Sequence, residues 1–480
     1  MDSHQQHLRR GFNWLGGAMI IAKLTDFGTI LIVLLLLTKE QVGVASVVVA
    51  FGTVIEALDG LGTGAALVQA PSLSRLQLDS LFWFIVGGAL VVAGVTLLAA
   101  PWIASLYGIA GMAAYFLAVA IKQPLVGAAV IPLAIMSRDL QYERIAVVNV
   151  CATFAAALTR LGLALLGAGA WAIVIAYAAS GLYTVVGAAL ISRFRPRLRM
   201  SMAAISPLLH FGLRATASAL FEQMINNVHY LLVGWFYGAA PLAEYRVAFD
   251  LAMEPAMAAS TLINRTALPV FAKVSAVREH LAESLTWSLR KLLAVISPFA
   301  VAIMLAADAI TAFIHDKQGH SYAAASLPLK LLAAAAVLRV VSQLAYPLVF
   351  GSGRPQMAVY LSAATLLLLS AGMLFVGLNI PFASGIVAMS TVWLAVPPLL
   401  LIWQARYLQR HWNIGAKALI RALVAPFVAV SILASTVEAG RLLIGSGSPT
   451  LQLGMILTLA ALACMGLLLH DGRREYRTAQ

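Results

Sequence analysis

The segment "AWAIVIAYAASGLYTVVGAALISRFRPRLR", residues 170–199, decides the fold of the chain. Residues 170–191 carry no charge and are long enough to cross a bilayer as one helix. Four arginines follow within residues 193–199. The whole chain of 480 residues is 61% hydrophobic and 11% charged, which is too little charge to cover the surface of a soluble protein of this size. We therefore predict an all-α integral membrane protein.

Apolar runs of this length recur along the chain and predict about 14 transmembrane helices. An N-terminal six-helix lobe would occupy residues 1–192, and residues 193–205 would form a basic cytoplasmic linker. A C-terminal six-helix lobe would follow at residues 206–410, with two additional helices and a cytoplasmic tail at residues 411–480. The predicted spans are residues 12–37, 42–69, 81–105, 111–136, 144–167, 170–191, 206–237, 242–265, 289–314, 325–350, 357–378, 382–405, 419–440 and 450–470.

The basic residues lie mostly on one side of this topology. When the N-terminus is placed in the cytoplasm, 21 lysines and arginines fall on the cytoplasmic side and three fall on the opposite side. This positive-inside bias predicts that both termini are cytoplasmic. It also explains the net charge of +13 as a match to anionic lipid headgroups, so we predict membrane lipids and no nucleic acid as partners.

Two short matching motifs indicate an internal repeat. "DSLFW" at residues 79–83 and "ESLTW" at residues 283–287 each follow a second helix and a polar connector, and each opens a third helix. We predict that each connector forms a short amphipathic helix at the membrane interface, with Ser74 and Gln77 as a capping box on the first. Because six is an even number, the two six-helix lobes run in the same direction and form a parallel repeat. This arrangement is typical of transporters, although a channel could share it.

Several classes of protein lack their sequence signatures in this chain. No GxxxxGK[ST], HExxH, GxSxG or CxxC motif occurs, which argues against P-loop hydrolysis, zinc proteases, serine hydrolases and thiol redox sites. Cys151 and Cys464 lie in apolar runs, so we predict two ordinary buried thiols. His315 and His320 flank Asp316 in an extracytoplasmic loop, where we predict a solvated loop rather than a metal site. We therefore predict no enzyme activity, no cofactor and no metal.

Ionisable side chains are unevenly distributed among the apolar helices. Eight basic and seven acidic residues fall inside the predicted spans, and a charge at bilayer depth usually faces a cavity or a partner. The leading two helices of each lobe carry most of them, as stripes along one face, and we predict that these four helices enclose a hydrated, charged cavity. The stripes contain Lys23 and Asp26 in the first helix, Gly52, Glu56, Asp59 and Thr63 in the second, His210, Arg214, Ser218, Glu222 and His229 in the seventh, and Arg246, Asp250, Glu254, Thr261 and Arg265 in the eighth.

The same charges also permit a structural interpretation. Arg246 with Asp250, or Lys23 with Asp26, could neutralise each other within one helix. For a single residue, pairing and substrate contact both stay open, whereas the striped set as a whole favours a functional cavity.

Three stretches carry a resemblance to a known family. They are "DGLGTGAALVQAPSLSRLQLDSLFW" at residues 59–83, "EYRVAFDLAMEPAMAASTLINRTALPVFAKVSAV" at residues 244–277 and "GSGRPQ" at residues 351–356. Across residues 10–410 the chain resembles the Wzx-type bacterial polysaccharide flippases, which belong to the multidrug/oligosaccharidyl-lipid/polysaccharide exporter superfamily. The resemblance implies an inner-membrane transporter that flips undecaprenyl-pyrophosphate-linked oligosaccharide by alternating access. It also implies a polysaccharide polymerase and export machinery as partners.

The resemblance further implies that the cavity holds a pyrophosphate and sugar hydroxyls. Arginine suits the pyrophosphate because its guanidinium offers bidentate donors to phosphate oxygens. The pyrophosphate candidates are Lys23, Arg214, Arg246 and Arg265, the sugar or polar cavity candidates are Ser218, Asn226, Asn227 and Thr261, and the ion-coupling candidates are Glu56, Asp59, Glu222 and Asp250.

Two alternatives remain. A drug/cation antiporter of the same superfamily would use the carboxylates to bind organic cations, although eight intramembrane cations argue against it. A membrane polysaccharide polymerase or ligase would need a sizeable periplasmic loop with catalytic residues, and the longest predicted extracytoplasmic stretch, residues 315–324, is too short for one.

Overall fold

The computed structural model describes residues 3–58, 63–64, 67, 73–274, 278–351, 355–412, 428, 431–437, 454–456, 458–460 and 462–464. The regular secondary structure of these residues consists of α-helices with two single 3₁₀ turns, which confirms the all-α prediction. The helices are α1 (Ser3–Leu36), α2 (Lys39–Glu56), α3 (Arg75–Tyr107), α4 (Met112–Arg138), α5 (Tyr142–Leu165), α6 (Ala170–Ser192), α7 (Met202–Tyr237), α8 (Ala239–Val274), α9 (Arg278–Phe313), α10 (Ser326–Gln343), α11 (Ala345–Gly351), α12 (Pro355–Asn379) and α13 (Gly385–Trp412), with the 3₁₀ turns at Ala323–Ala325 and Phe382–Ser384.

Eight of the described helical segments are long and apolar enough to cross a membrane. They are α3 to α6, α9, α10 together with α11, α12 and α13, which are the third to sixth helices of each predicted lobe. The chain is therefore a multi-pass membrane protein. The leading pair of each predicted lobe, α1 with α2 and α7 with α8, is also helical. The spans predicted at residues 419–440 and 450–470 lie mostly outside the described residues, so the total of 14 stays a prediction.

Helix α2 is shorter than predicted. It ends at Glu56, whereas the predicted span ran from residue 42 to residue 69, and the described residues 63, 64 and 67 of that span are also helical. The sequence explains the early end, because three glycines follow within residues 60–64 and glycine has the lowest helix propensity after proline. Thr63 lies beyond the end of α2, and Asp59 lies outside the described residues.

Helix α3 begins earlier than predicted because the connector before it is part of the helix. Ser74 and Gln77 form the predicted capping box, in which each side chain accepts the backbone N–H of the other residue, and they do so at the start of α3 itself. Residues 75–80 are the first turns of α3, and residues 278–283 are the first turns of α9. The prediction of separate interfacial helices was wrong for these residues, since neither segment contains a glycine or proline that would end the helix.

The "DSLFW" motif anchors the segment between α6 and α7 to α3. Asp79, which is fully buried, accepts the backbone N–H of Arg197 at 3.2 Å. Ser80 accepts the backbone N–H of Ser201 at 2.9 Å, and Trp83 Nε1 donates to the carbonyl oxygen of Arg197 at 2.9 Å. The motif that marked the sequence repeat therefore fixes the path of this connecting segment.

Large apolar side chains cover the outer surface of several helices. Leu98 is 84% exposed and Trp102 is 65% exposed, as expected where a helix faces lipid. Cys151 is an exposed free thiol on α5 and Cys464 is a half-buried free thiol. The prediction of burial was wrong for Cys151, because an apolar run in a membrane protein can face lipid as well as the protein interior.

The chain forms two compact units. The first comprises Met1–Ala243 with His315–His320, and the second comprises Glu244–Ile314 with Ser321–Gln480. Helices α1 to α7 therefore belong to the first unit, and α9 to α13 with most of α8 belong to the second. The predicted boundary between lobes at residues 193–205 stays a prediction.

Candidate functional site

A charged cluster lies inside the first unit. The Glu56 carboxylate, at the end of α2, is 2.7 Å from Nζ of Lys122 on α4. The Tyr177 hydroxyl, on α6, donates a hydrogen bond to the same carboxylate, and Lys122 Nζ lies 3.4 Å from the centroid of the Tyr177 ring. The side chains of Lys122 and Glu56 are only 9% and 22% exposed. These three residues are called the Glu56 cluster below. Their ion pair joins α2 to α4, and their hydrogen bond joins α6 to α2.

Two glycines leave the space that the Glu56 cluster occupies. A Cβ on Gly52, in α2, would lie 2.5 Å from Oη of Tyr177, a distance that real Cβ atoms do not show. A Cβ on Gly181, in α6, would lie 3.0 Å from Cγ of Lys122. Small residues at these positions therefore let the backbones of α2 and α6 approach the two larger side chains.

Polar contacts also join α2 to α7. Thr53 Oγ1 donates to Oδ1 of Asn227 at 2.8 Å, and Nδ2 of Asn227 donates to the carbonyl oxygen of Gln223 at 2.9 Å. The imidazole of His229 is fully buried, and its Nε2 lies 2.9 Å from the carbonyl oxygen of Asn226. Asn227, a predicted sugar contact, is thus bonded to α2 in this conformation.

A second interhelical ion pair links α1 to α5. Arg160 Nη2 lies 2.7 Å from Oδ1 of Asp26, with side-chain exposures of 12% and 47%. The sequence suggested Lys23 as a partner of Asp26 within one helix, and the structure gives Asp26 a partner on another helix. Lys23 itself is exposed.

In the second unit, the stripe of α8 contains the predicted intrahelical pair. Arg246 Nε lies 3.2 Å from Oδ2 of Asp250. The adjacent Tyr245 is fully buried and accepts a hydrogen bond from Nε1 of Trp393 at 2.9 Å. The guanidinium of Arg339 lies 4.6 Å from the centroid of the Trp393 ring. The pairing interpretation is confirmed for Arg246 and Asp250, and their part in binding stays a prediction.

The other predicted site residues have less defined surroundings. Glu222 is exposed on α7, and Thr261 on α8 donates back to the carbonyl oxygen of Met257 at 2.8 Å. Asp59 and the side chains of Arg214, Ser218 and Arg265 lie outside what the structure describes. The role assigned to every candidate therefore remains a prediction.

The sequence reasoning missed the partners that come from other helices. Lys122, Arg160 and Tyr177 lie on α4, α5 and α6, where no stripe of charges marks them. One signal was present, because Lys122 and Arg160 lie deep in predicted spans that contain no acidic residue. A cation at that depth needs a carboxylate from another element.

One carboxylate outside the membrane-spanning helices, that of Asp316, is held by backbone amides and lies 3.6 Å from Nδ1 of His320. Asp316, between α9 and α10, accepts the backbone N–H groups of Gln318 and His320 at 2.9 Å each. Burial raises the pKa of Asp316, but the backbone N–H groups of His320, Gln318 and Lys39 outweigh burial and hold that pKa below its ordinary value. His315 and His320 are exposed on the same loop. Asp316 therefore organises the loop through backbone contacts.

Relatives of known role are similar to this chain over part of their lengths. The lipopolysaccharide biosynthesis protein WzxC of Escherichia coli (strain K12) is 24% identical over 318 residues, which cover 64% of this chain and 62% of that protein. The succinoglycan biosynthesis transport protein ExoT of Rhizobium meliloti (strain 1021) is 23% identical over 298 residues, which cover 61% of this chain and 60% of that protein. The teichuronic acid biosynthesis protein TuaB of Bacillus subtilis (strain 168) is 27% identical over 177 residues, which cover 37% and 36%. The chain thus spans less than two thirds of the length of each relative.

Solved structures share the fold over a larger part of the chain. The lipid II flippase MurJ, in an inward closed conformation, superposes with a TM-score of 0.74 at 12% identity and covers 97% of this chain and 99% of that one. An inward-facing multidrug resistance MATE family transporter of the MOP superfamily gives a TM-score of 0.59 at 16% identity, covering 82% and 93%. These likenesses confirm the membrane fold. The family described as "Polysaccharide biosynthesis protein" matches residues 32–323, which is more than half of the chain, and the chain therefore belongs to that family.

Proposed function

We propose that this protein flips undecaprenyl-pyrophosphate-linked oligosaccharide repeat units across the bacterial inner membrane for polysaccharide biosynthesis. The names of two relatives support the substrate class, since one acts in lipopolysaccharide biosynthesis and the other in succinoglycan biosynthesis transport. The fold shared with a lipid II flippase supports a lipid-linked cargo. Both termini would lie in the cytoplasm, and the protein would deliver its cargo to a polymerase and export machinery.

The observation that carries the proposal is a set of three ion pairs formed by residues of α1, α2, α4, α5 and α8. Glu56 with Lys122 and Asp26 with Arg160 lie in the first unit, and Arg246 with Asp250 lies in the second. Charges at bilayer depth are costly and are usually retained where a polar cargo or a coupling ion moves. Paired cations and carboxylates would also permit exchange of partners during alternating access, with pyrophosphate replacing a carboxylate on an arginine and a proton or sodium ion replacing the cation on the carboxylate.

The proposed contacts to the cargo follow the leading helices. Lys23, Arg214, Arg246 and Arg265 would bind the pyrophosphate. Ser218, Asn226, Asn227 and Thr261 would bind sugar hydroxyls, and Glu56, Asp59, Glu222 and Asp250 would couple transport to an ion.

A deletion strain tests the proposal. Loss of the protein should stop surface polysaccharide production and leave lipid-linked repeat units in the inner leaflet. At equal membrane abundance, Arg214→Ala should fail to restore export, and Arg214→Lys should restore part of it because lysine keeps the charge but not the bidentate fork. Arg199→Ala is the matched control, since Arg199 is exposed on the segment between α6 and α7, and it should restore export fully.

A drug/cation antiporter is the second candidate, because one solved structure with this fold is a multidrug resistance transporter. A deletion strain that kept its polysaccharide and became sensitive to lipophilic cations would favour the antiporter and overturn the flippase proposal. A polymerase would give a third phenotype, in which single repeat units are still exported but are not joined.

A further inference from the structure

Two adjoining cavities open at one end of the first unit, where α4 turns into α5 and α6 ends. Their volumes are about 400 Å³ and about 340 Å³. Ile135, Ser192 and Arg193 line both, so the two cavities adjoin each other, and together they are called the arginine pocket below. The arginines that line it are Arg75, Arg138, Arg144 and Arg193. The charge bias of the sequence predicts that this end of the unit faces the cytoplasm.

The arginine pocket has a surplus of positive charge. Against its four arginines stands one acidic lining residue, Asp139. Asp79, behind the lining, pairs with Arg75 at 3.2 Å, so four positive charges less two negative charges leave a surplus of two. The positive-inside rule places arginines near a membrane surface, but it does not require them to converge on one concave site.

Several of the guanidinium groups are held in fixed positions. Arg144 Nη1 donates to Oε1 of Gln141 at 3.1 Å, and Arg138 Nη1 donates to the carbonyl oxygen of Leu67 at 3.1 Å. The guanidinium carbon of Arg75 lies 4.7 Å from the centroid of the Phe194 ring. Oriented guanidinium forks bind phosphate oxygens bidentately, which makes phosphate the anion that this arrangement fits.

The backbone around the pocket is strained at two points. Arg193 has φ of 54° and Leu140 has φ of 55°, and they are the two non-glycine residues with positive φ in the described part of the chain. Arg193 lines both cavities, and Leu140 lies between Asp139 and Gln141, which line the larger one. Left-handed backbone at residues other than glycine is uncommon and concentrates at functional sites. Both strained residues of the described chain thus lie at this one pocket.

Exposed apolar side chains border the pocket and indicate a lipid rather than a free anion. Leu190, which lines the larger cavity, is 67% exposed, and Leu140 is 45% exposed. We propose that the arginine pocket binds the phosphate or diphosphate of a membrane lipid headgroup, with the lipid chain lying against these leucines. Two kinds of lipid carry such a headgroup, an anionic phospholipid and a polyprenyl diphosphate. The site is separate from the polar stripes of the leading helices and does not depend on the proposed transport.

Binding to the purified full-length protein in detergent tests this site without any transport step. Native mass spectrometry would follow titration with undecaprenyl diphosphate, phosphatidylglycerol, inorganic pyrophosphate and neutral phosphatidylcholine. The test variant is Arg144→Gln with Arg193→Gly, because glycine accepts the left-handed backbone at residue 193. We expect it to weaken binding of the phosphate-bearing lipid at least tenfold and to leave phosphatidylcholine unchanged. Arg199→Ala, which removes an exposed arginine outside the pocket, should bind like the wild type.

Each outcome decides the proposal. Tighter binding of undecaprenyl diphosphate identifies a cargo lipid as the source, and tighter binding of phosphatidylglycerol identifies a bulk phospholipid. Equal lipid binding by the double variant and the wild type would overturn the site, as would a preference for inorganic pyrophosphate over both lipids. If the double variant does not fold, Arg144→Gln alone applies the same test, because Arg144 is exposed and its change leaves the packing intact. Export in cells can fail or persist independently of this result.

Discussion

The first and second units each contain a carboxylate paired with a cation, and the two pairs are built differently. Glu56 pairs at 2.7 Å with Lys122 of another helix, and Tyr177 of a third helix contributes to the same cluster. Asp250 pairs at 3.2 Å with Arg246, which lies four residues earlier on the same helix. The first pair exists only when α2 and α4 pack together, and its cluster needs α6 as well, whereas the second pair can form on one isolated helix.

This difference decides what each pair contributes to stability. Breaking a buried pair by removing one partner leaves a charge without compensation inside the protein, which costs about 3–5 kcal/mol. A pair at i and i+4 on the surface of a helix contributes about 0.2–0.5 kcal/mol, and the α8 pair, with side chains 20% and 17% exposed, should contribute somewhat more. The Glu56 cluster should therefore hold α2, α4 and α6 together, and the pair on α8 should be able to exchange partners with little effect on the fold.

The largest effect is expected when the Glu56 cluster loses its cation. Lys122→Met keeps much of the side-chain volume but leaves the Glu56 carboxylate without its ion pair, and we expect a loss of about 3–5 kcal/mol in the free energy of unfolding. Unfolding of the purified protein in detergent or mixed micelles measures it. Adding Glu56→Gln to Lys122→Met should recover most of the loss, since no buried charge then remains. Equal stability of the wild type and Lys122→Met would show that the pair does not hold the helices.

The second-largest effect on stability is expected when the space around the Glu56 cluster is filled. Gly52→Ala would place a Cβ 2.5 Å from Oη of Tyr177, so the packing of α2 against α6 must shift. Overpacking of this kind costs about 1–3 kcal/mol. Gly94→Ala on α3 is the matched control, because its Cβ would have no neighbour within 4 Å, and alanine should stabilise that helix slightly. Equal changes in unfolding free energy for the two variants would refute the steric explanation.

The sequence predicted some parts of this arrangement because their causes are local. Helix positions followed from apolar runs, the Ser74–Gln77 capping box from two residues three apart, and the Arg246–Asp250 pair from its spacing. The end of α2 was predicted too late because apolar character continues through the glycines that follow Glu56. The partner of Glu56 could not be read from the sequence, because Lys122 is distant along the chain and only packing brings it near.

The effect on stability expected at Asp316 lies between those expected for the Glu56 cluster and for the pair on α8. Asp316 is held by backbone N–H groups, in the manner of a helix cap, and Asp316→Ala should cost about 1 kcal/mol. Because the pKa of Asp316 is lower in the folded protein, its contribution is present above the unfolded pKa and is lost as pH falls through the folded pKa. Unfolding measured across the acidic range should show a smaller loss of stability on acidification for Asp316→Asn than for the wild type. Parallel pH profiles would exclude this contribution.

The smallest effect on stability is expected at the pair on α8, and there stability and transport should separate. Arg246→Gln removes the ion pair with Asp250, and we expect it to cost about 0.5–1 kcal/mol because glutamine still offers Asp250 a hydrogen-bond donor from the same helix. If Arg246 binds the pyrophosphate as proposed, the same variant should lose a charge-assisted contact of about 2–3 kcal/mol, which reduces binding of the cargo about 30- to 150-fold. Export at equal membrane abundance, measured beside unfolding, distinguishes the two roles. Arg246→Gln should lose export while fully folded. Normal export by Arg246→Gln would mean that the cation on α8 only balances Asp250.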